Sequence, residues 1–314
     1  MHPAFSVIVF TTASGAGYGL LALLGILSSA AWLPADRWFG VSGILIALAL
    51  ITGGLLASTA HLGHPERAWR AFSQWRTSWL SREGVLSVLT YVPSLAFAGL
   101  WFAGADGALT PAAGLAAAAL AVITVYCTAM IYASLKPIHH WHNAWVPAVY
   151  LSLSLMSGAV WLNALLLVWG AALPAVGVLC AAAIVLAWWT KLRAWRHIDT
   201  TRAVSTPETA TGLGSRGKVR LFEAPHTEDN YLLQEMGYRI ARKHAAKLRR
   251  IAIGLTFLAP LVLTVATLAV GGAAAFVAAT LAVPLMMVGL LIERWLFFAE
   301  AKHTVMLYYG AETA

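Results

Sequence analysis

The sequence predicts an all-α fold, a polytopic membrane protein with eight transmembrane helices. Residues 1–314 form one integral membrane domain, and a long basic cytoplasmic loop at 191–248 separates helices six and seven. Three observations carry this reading. Hydrophobic residues make up 60% of the chain and charged residues 11%, with a mean hydropathy of +0.74, far from the averages of a water-soluble domain. Apolar stretches of roughly 20 residues, the length that crosses a bilayer core, recur eight times. With those stretches laid across a membrane, 20 of the 21 lysines and arginines fall on one side, which the excess of Lys and Arg marks as cytoplasmic.

The spans are expected at approximately 5–30, 39–60, 84–104, 110–134, 144–168, 171–190, 250–270 and 273–292. No basic segment precedes the first, and its apolar run is longer than the core of a cleaved leader, so it reads as a retained span. Arg67, Arg70, Arg76 and Arg82 follow span two, and Lys136 follows span four. Thirteen basic residues lie between Lys191 and Arg250, while Arg294 and Lys302 are in the tail. Arg37 alone falls on the opposite face, so both termini are expected in the cytoplasm of a bacterial inner membrane. The net charge of +8 follows from this topology. It suits the anionic headgroups of a lipid bilayer and requires no nucleic acid partner.

Within the spans, Gly15 with Gly19 and Gly54 with Ser58 predict close helix approach. Cys127 and Cys180 both fall inside spans and read as small core residues, too few for an iron–sulfur centre. Asn163 is the one strongly polar residue deep in a span. On these boundaries no ionisable residue lies at mid-depth, which argues against a proton pump or an ion-coupled transporter. All ten histidines fall at span ends, in connections or at the terminus, so a haem held by facing imidazoles is not expected.

The connection after span two is the richest in chemistry. His61 and His64 are three residues apart and would share a helical face, before Pro65 re-aims the chain. Trp69, Phe72, Trp75 and Trp79 interleave with Arg70 and Arg76, the pattern of a short helix lying in the headgroup layer. His61 and Glu83 each sit where a span meets the interface. Reduction or oxidation of a quinone moves two electrons and two protons, so its headgroup needs titratable neighbours beside an apolar slot for the tail. A histidine and a carboxylate at the mouth of a helical bundle meet that need, although such residues are also common at helix ends for structural reasons.

From Lys191 to Arg250 the chain turns polar and irregular, then helix-prone from Thr227, with Leu232, Leu233, Met236 and Ile240 at helical spacing. Its basic residues Arg239, Arg242 and Lys243 would rest on headgroups or dock a partner.

Several segments together resemble the membrane anchor subunit of dimethyl sulfoxide reductases, a family that includes the anchor of the membrane-bound sulfite-oxidising enzyme. They are His61-Leu62-Gly63, Ser81-Arg82-Glu83, the run Met130 to Ile138 with Trp141-His142-Asn143, and the tail Glu293 to His303. The resemblance implies eight spans with no haem or metal in this chain. It also implies a ferredoxin-like iron–sulfur subunit and a molybdopterin catalytic subunit as partners, and electron exchange with menaquinone or ubiquinone. It places quinone contact at His61 and Glu83 and carries over no other residue; His64, Arg67 and Arg82, close by in the sequence, read as further quinone-binding residues, with the two arginines tuning the carboxylate or meeting the partner. Glu293 and Arg294 then become supports behind the quinone site or, with Arg239, Arg242 and Lys243, partner-docking charges. Glu228-Asp229-Asn230-Tyr231 looks closer to the sulfite-oxidising branch. Family topologies drawn with outer termini are at odds with the charge count here. Two other classes also fit eight spans: a secondary transporter, with Pro93 and Pro284 interrupting spans three and eight, and a haem-containing quinol cytochrome subunit.

Overall fold

A computed structural model describes residues 5–60, 62–105, 107–201, 205–223 and 239–312, with side chains from His244 onward in the last of these. Among them there is no strand, and eight helices are long and apolar enough to cross a membrane. In chain order they are α1 (Phe5–Ser29), α2 (Arg37–Thr59), α3 (Trp79–Ala103), α4 (Leu109–Ala133), α5 (Trp145–Val168) and α6 (Pro174–Thr200). Then come α7, built of Arg239–Ile253, a π turn at Gly254–Leu258 and Ala259–Ala269, and α8 (Gly272–Ala299). Local chemistry sets several of the starts. Asp36 accepts from the backbone N–H groups of Trp38 and Phe39 at 2.9 and 2.8 Å to cap α2, and Pro174 occupies the first turn of α6, where its missing N–H costs nothing.

α1 is the central helix, packed against α2, α4, α5 and α8. Small residues allow this, as expected at Gly19 and Gly54. A Cβ on Gly19 would stand 1.8 Å from the Ser154 carbonyl oxygen, and one on Gly54 would stand 2.8 Å from the Ser14 nitrogen. Gly15 has open space instead. Because the obstacle at position 19 is backbone, Gly19→Ala is expected to cost about 1–3 kcal/mol by overpacking. A lowered thermal unfolding temperature in detergent would show it, whereas Gly15→Ala should leave that temperature unchanged.

The chain alternates direction. Arg37 and Trp38 at the start of α2 meet Phe102 at the end of α3, which marks one end of the bundle. At the other end, Trp141 in the α4–α5 connection donates to the Phe297 carbonyl at 3.0 Å, His139 bonds Thr201 at 2.9 Å, and Arg249 bridges Asp199 and Glu300.

Besides α7, which begins at Arg239 rather than 250, three helices are longer than the apolar spans predicted, all at this second end. α3 begins at Trp79 rather than 84, α6 runs to Thr200 rather than 190, and α8 reaches Ala299 rather than 292. Each extension draws ionisable side chains inside: Glu83 is 5% exposed, Lys191 4%, Glu293 0% and Arg294 3%. The interior at this end therefore holds ionisable groups that the expected span boundaries left outside it. A hydropathy window stops at the first charge, whereas a helix continues wherever the charge finds a buried partner. Lys191 thus lies within α6 and not in the polar loop.

Candidate functional site

A largely apolar pocket of about 670 Å³ opens at this second end. Its walls come from the start of α1 (Val7, Phe10), the end of α2 (Leu55, Ser58), the start of α3 (Leu80, Glu83, Ser87) and the end of α4 (Ile131, Tyr132). The segment between α2 and α3 closes one side. That segment is a 3₁₀ helix at Pro65–Gln74, with Trp69 and Trp75 exposed and Phe72 turned against Gly84. It has the aromatic and basic make-up of an interfacial element, and Arg67, Ala68, Ala71 and Phe72 line the pocket.

Glu83 is the buried titratable group of the pocket wall. The hydroxyl of Thr128 on α4 donates to its Oε1 at 2.8 Å. Ser87, one turn on, donates to the Glu83 backbone carbonyl at 2.7 Å. Tyr132 lines the pocket beside it and leads into an aromatic cluster, stacked on Tyr150 and edge-on to Trp141, Phe297 and Phe298. Through this cluster the segments around 130–143 and 293–303 pack on each other.

The structure brings together only part of the expected set. Glu83, His64 and Arg67 line the pocket. His64 and Arg67 are exposed and share Glu66, with nitrogen–oxygen distances of 3.0 and 3.7 Å. Arg82 does not line it. Its guanidinium turns back to the carbonyls of Trp75 and Arg76 at 3.0 and 2.7 Å and lies over the Trp79 ring at 4.3 Å, fastening the interfacial segment to α3. His61 lies outside the described residues, although its neighbours Leu62 and Gly63 line the pocket. Arg239, Arg242 and Lys243 belong to the first turns of α7, and their side chains lie outside the description, as do Leu232, Leu233 and Met236.

Of the two roles that the sequence leaves open for Glu293 and Arg294, support behind the site or a face for a partner, the structure removes the second. Glu293 pairs with Lys191 and with Arg294, the latter at 2.5 Å, and Arg294 lies over the Tyr150 ring at 4.4 Å. Lys191 in turn lies over Trp195 at 4.7 Å, whose ring also meets Arg249 at 5.1 Å. A helix face with Lys191, Trp195 and Asp199 at four-residue steps is the readable sign of this arrangement. In the α4–α5 connection, burial pushes the His140 imidazole down to about 4, and the neighbouring His139, Lys302 and Arg249 act in the same direction. His140 is therefore neutral at physiological pH.

Eight spans with an apolar pocket and a buried carboxylate at one end of the bundle define a polytopic membrane protein. The family model described as DMSO reductase anchor subunit (DmsC) matches residues 1–310, and the chain belongs to this family of membrane anchor subunits of oxidoreductase complexes. It is 35% identical to a sulfite dehydrogenase subunit of Allochromatium vinosum, over 98% of this chain and 99% of that protein. It is 30% identical to the anaerobic dimethyl sulfoxide reductase chain YnfH of Escherichia coli K12, over 51% of this chain and 56% of that one.

Proposed function

We propose that this anchor is the quinone-reactive subunit of a molybdopterin and iron–sulfur oxidoreductase of the inner membrane, with both termini cytoplasmic. The observation that carries the reading is the 670 Å³ apolar pocket with Glu83 in its wall. It offers room for an isoprenoid tail and a proton-exchanging group for the headgroup. Quinone enters from the bilayer, and its headgroup lies between Glu83 and the His61–His64 segment. Glu83 gives or takes the proton, and a histidine holds the second oxygen. Arg67, at the rim, meets the headgroup or the partner.

The likeness to a sulfite dehydrogenase subunit over nearly the full chain favours sulfite oxidation. Sulfite and water give sulfate, two protons and two electrons in the molybdopterin subunit. The electrons pass through a ferredoxin-like subunit docked on the basic end, where Arg239, Arg242 and Lys243 lie, and reduce ubiquinone or menaquinone in this chain.

Two measurements test the proposal. Mass spectrometry of what co-purifies in mild detergent is expected to find a molybdopterin subunit and a ferredoxin-like subunit. A photoreactive ubiquinone analogue is expected to label the end of α2, the Pro65–Gln74 helix or the start of α3, and excess quinone should displace it. Recovery of the chain alone, or labelling confined to the opposite end of the bundle, would overturn it.

A further inference from the structure

The two carboxylate oxygens of Glu83 are held differently. Oε1 accepts from the Thr128 hydroxyl at 2.8 Å, across the contact of α3 with α4, whereas Oε2 has no hydrogen-bond partner among the described residues. The backbone carbonyl of Glu83 is fixed as well, by the Ser87 hydroxyl at 2.7 Å. One carboxylate oxygen is thus tied to α4, and the other is left for the pocket that Glu83 lines.

The Thr128 hydroxyl has a second acceptor within reach, the Thr124 carbonyl one turn back on α4 at 3.1 Å. A hydroxyl carries a single proton, so it cannot serve both oxygens fully at once, and the charge on Glu83 decides between them. Beside a protonated Glu83 the hydroxyl meets two uncharged oxygens and divides its proton between them. Beside the carboxylate it makes a charge-assisted bond, roughly twice as strong as a neutral one. Thr124 is 0% exposed and Thr128 5%, so water does not compete for either acceptor and the low local dielectric strengthens the difference. A bond that grows as the proton leaves lowers the barrier, whereas one of constant strength would only hold the side chain.

We propose that Thr128 is the positioning residue of the proton-exchanging carboxyl: it holds Oε1, so that the proton leaves and returns at Oε2, and it turns its own proton from the Thr124 carbonyl to Glu83 as the carboxylate forms. The proposal rests on the quinone reading above. The partner's reduced iron–sulfur cluster gives up two electrons in all, one at a time, and is oxidised, while the quinone is reduced. For each of the two protons the Oε2–H bond breaks, an O–H bond forms on a quinone oxygen, and the carboxylate takes a proton from water at the rim, where His64 and Arg67 are exposed. The Thr128 proton stays on its own oxygen throughout.

The test is kcat and KM for quinone in the whole complex, with Thr128→Val and Thr128→Ser each made beside Glu83 and beside Glu83→Gln. Valine keeps the branched shape and loses the hydroxyl, and is expected to lower kcat about ten- to hundredfold, the worth of a hydrogen bond to a charged group, with KM unchanged. Serine keeps the hydroxyl and is expected to recover most of that rate. A role in packing alone gives the opposite ranking, with valine near wild type and serine impaired, and that ranking would overturn the proposal. In the Glu83→Gln background Thr128→Val is expected to change the residual rate by less than about twofold, because an amide develops no charge for the hydroxyl to answer; effects that multiply would place Thr128 outside the action of Glu83. If the valine variant does not assemble, Thr128→Ala read against Thr128→Ser gives the same comparison, and equal rates in those two would overturn the proposal. Full turnover in Thr128→Val beside a slow Glu83→Gln removes the positioning role and leaves the quinone reading standing. Full turnover in both removes the quinone site from Glu83.

Discussion

Glu83→Gln is expected to lower quinone turnover by roughly 10²–10⁴-fold, the usual contribution of a positioned proton-transfer group. The reasoning is local. Glu83 is 5% exposed, and the Thr128 hydroxyl donates to its Oε1 at 2.8 Å. A glutamine oxygen accepts that same hydrogen bond at nearly the same volume, so packing and pocket shape are conserved and only proton exchange is lost. The loss should fall on kcat while the KM for quinone moves little. Glu83→Asp keeps the acid one methylene further back and should recover part of the rate. The measurement is steady-state quinone reduction by the whole complex at saturating sulfite. A glutamine variant within about twofold of wild type would remove Glu83 from the chemistry.

The second large effect concerns stability. Lys191, Glu293 and Arg294 are at most 4% exposed, and one carboxylate serves two cations. Glu293→Gln leaves two buried positive charges facing each other without their counter-ion, whereas Lys191→Met leaves a neutral Glu293–Arg294 pair. Removing one partner of a buried ion pair typically costs about 3–5 kcal/mol. Glu293→Gln is expected at the top of that range or beyond, with Lys191→Met below it. Thermal inactivation half-lives of the purified chain in detergent would show the order wild type, Lys191→Met, Glu293→Gln. The reverse order of the two variants would mean that Glu293 is not the group holding the cluster together.

Much of this is legible in the sequence, and the parts that are not share one physical cause. The eight spans and the one-sided basic residues depend on lipid thickness and charge alone, so local composition is enough for them. Glu83 is legible because it stands at a span end, in the Ser81-Arg82-Glu83 segment on which the family resemblance is read. Arg82, one residue earlier, is not separable from it by spacing. Only the fold shows that its guanidinium turns back to Trp75 and Arg76. Lys191 reads as the first residue of a loop because an unpaired lysine ends a span. Its counter-ion lies in α8, about a hundred residues on, and no window sees both. The same holds for Thr128, one threonine among several in an apolar helix until α3 places Glu83 beside it.

The distance in sequence between Lys191 and Glu293 also orders events during synthesis. Lys191 leaves the ribosome about a hundred residues before its carboxylate, which at roughly 5–20 residues per second is an interval of several seconds or more. In that interval α6 must hold an uncompensated ammonium, which its position nine residues from the helix end at Thr200 lets it do by stretching toward the headgroups. Insertion of α8 then delivers Glu293 and Arg294, and with them the Phe297 carbonyl that receives Trp141. The last span is thus the closing member of the interior, and a nascent chain released before it would carry the pocket's Glu83 wall without the charge cluster that completes the bundle behind it.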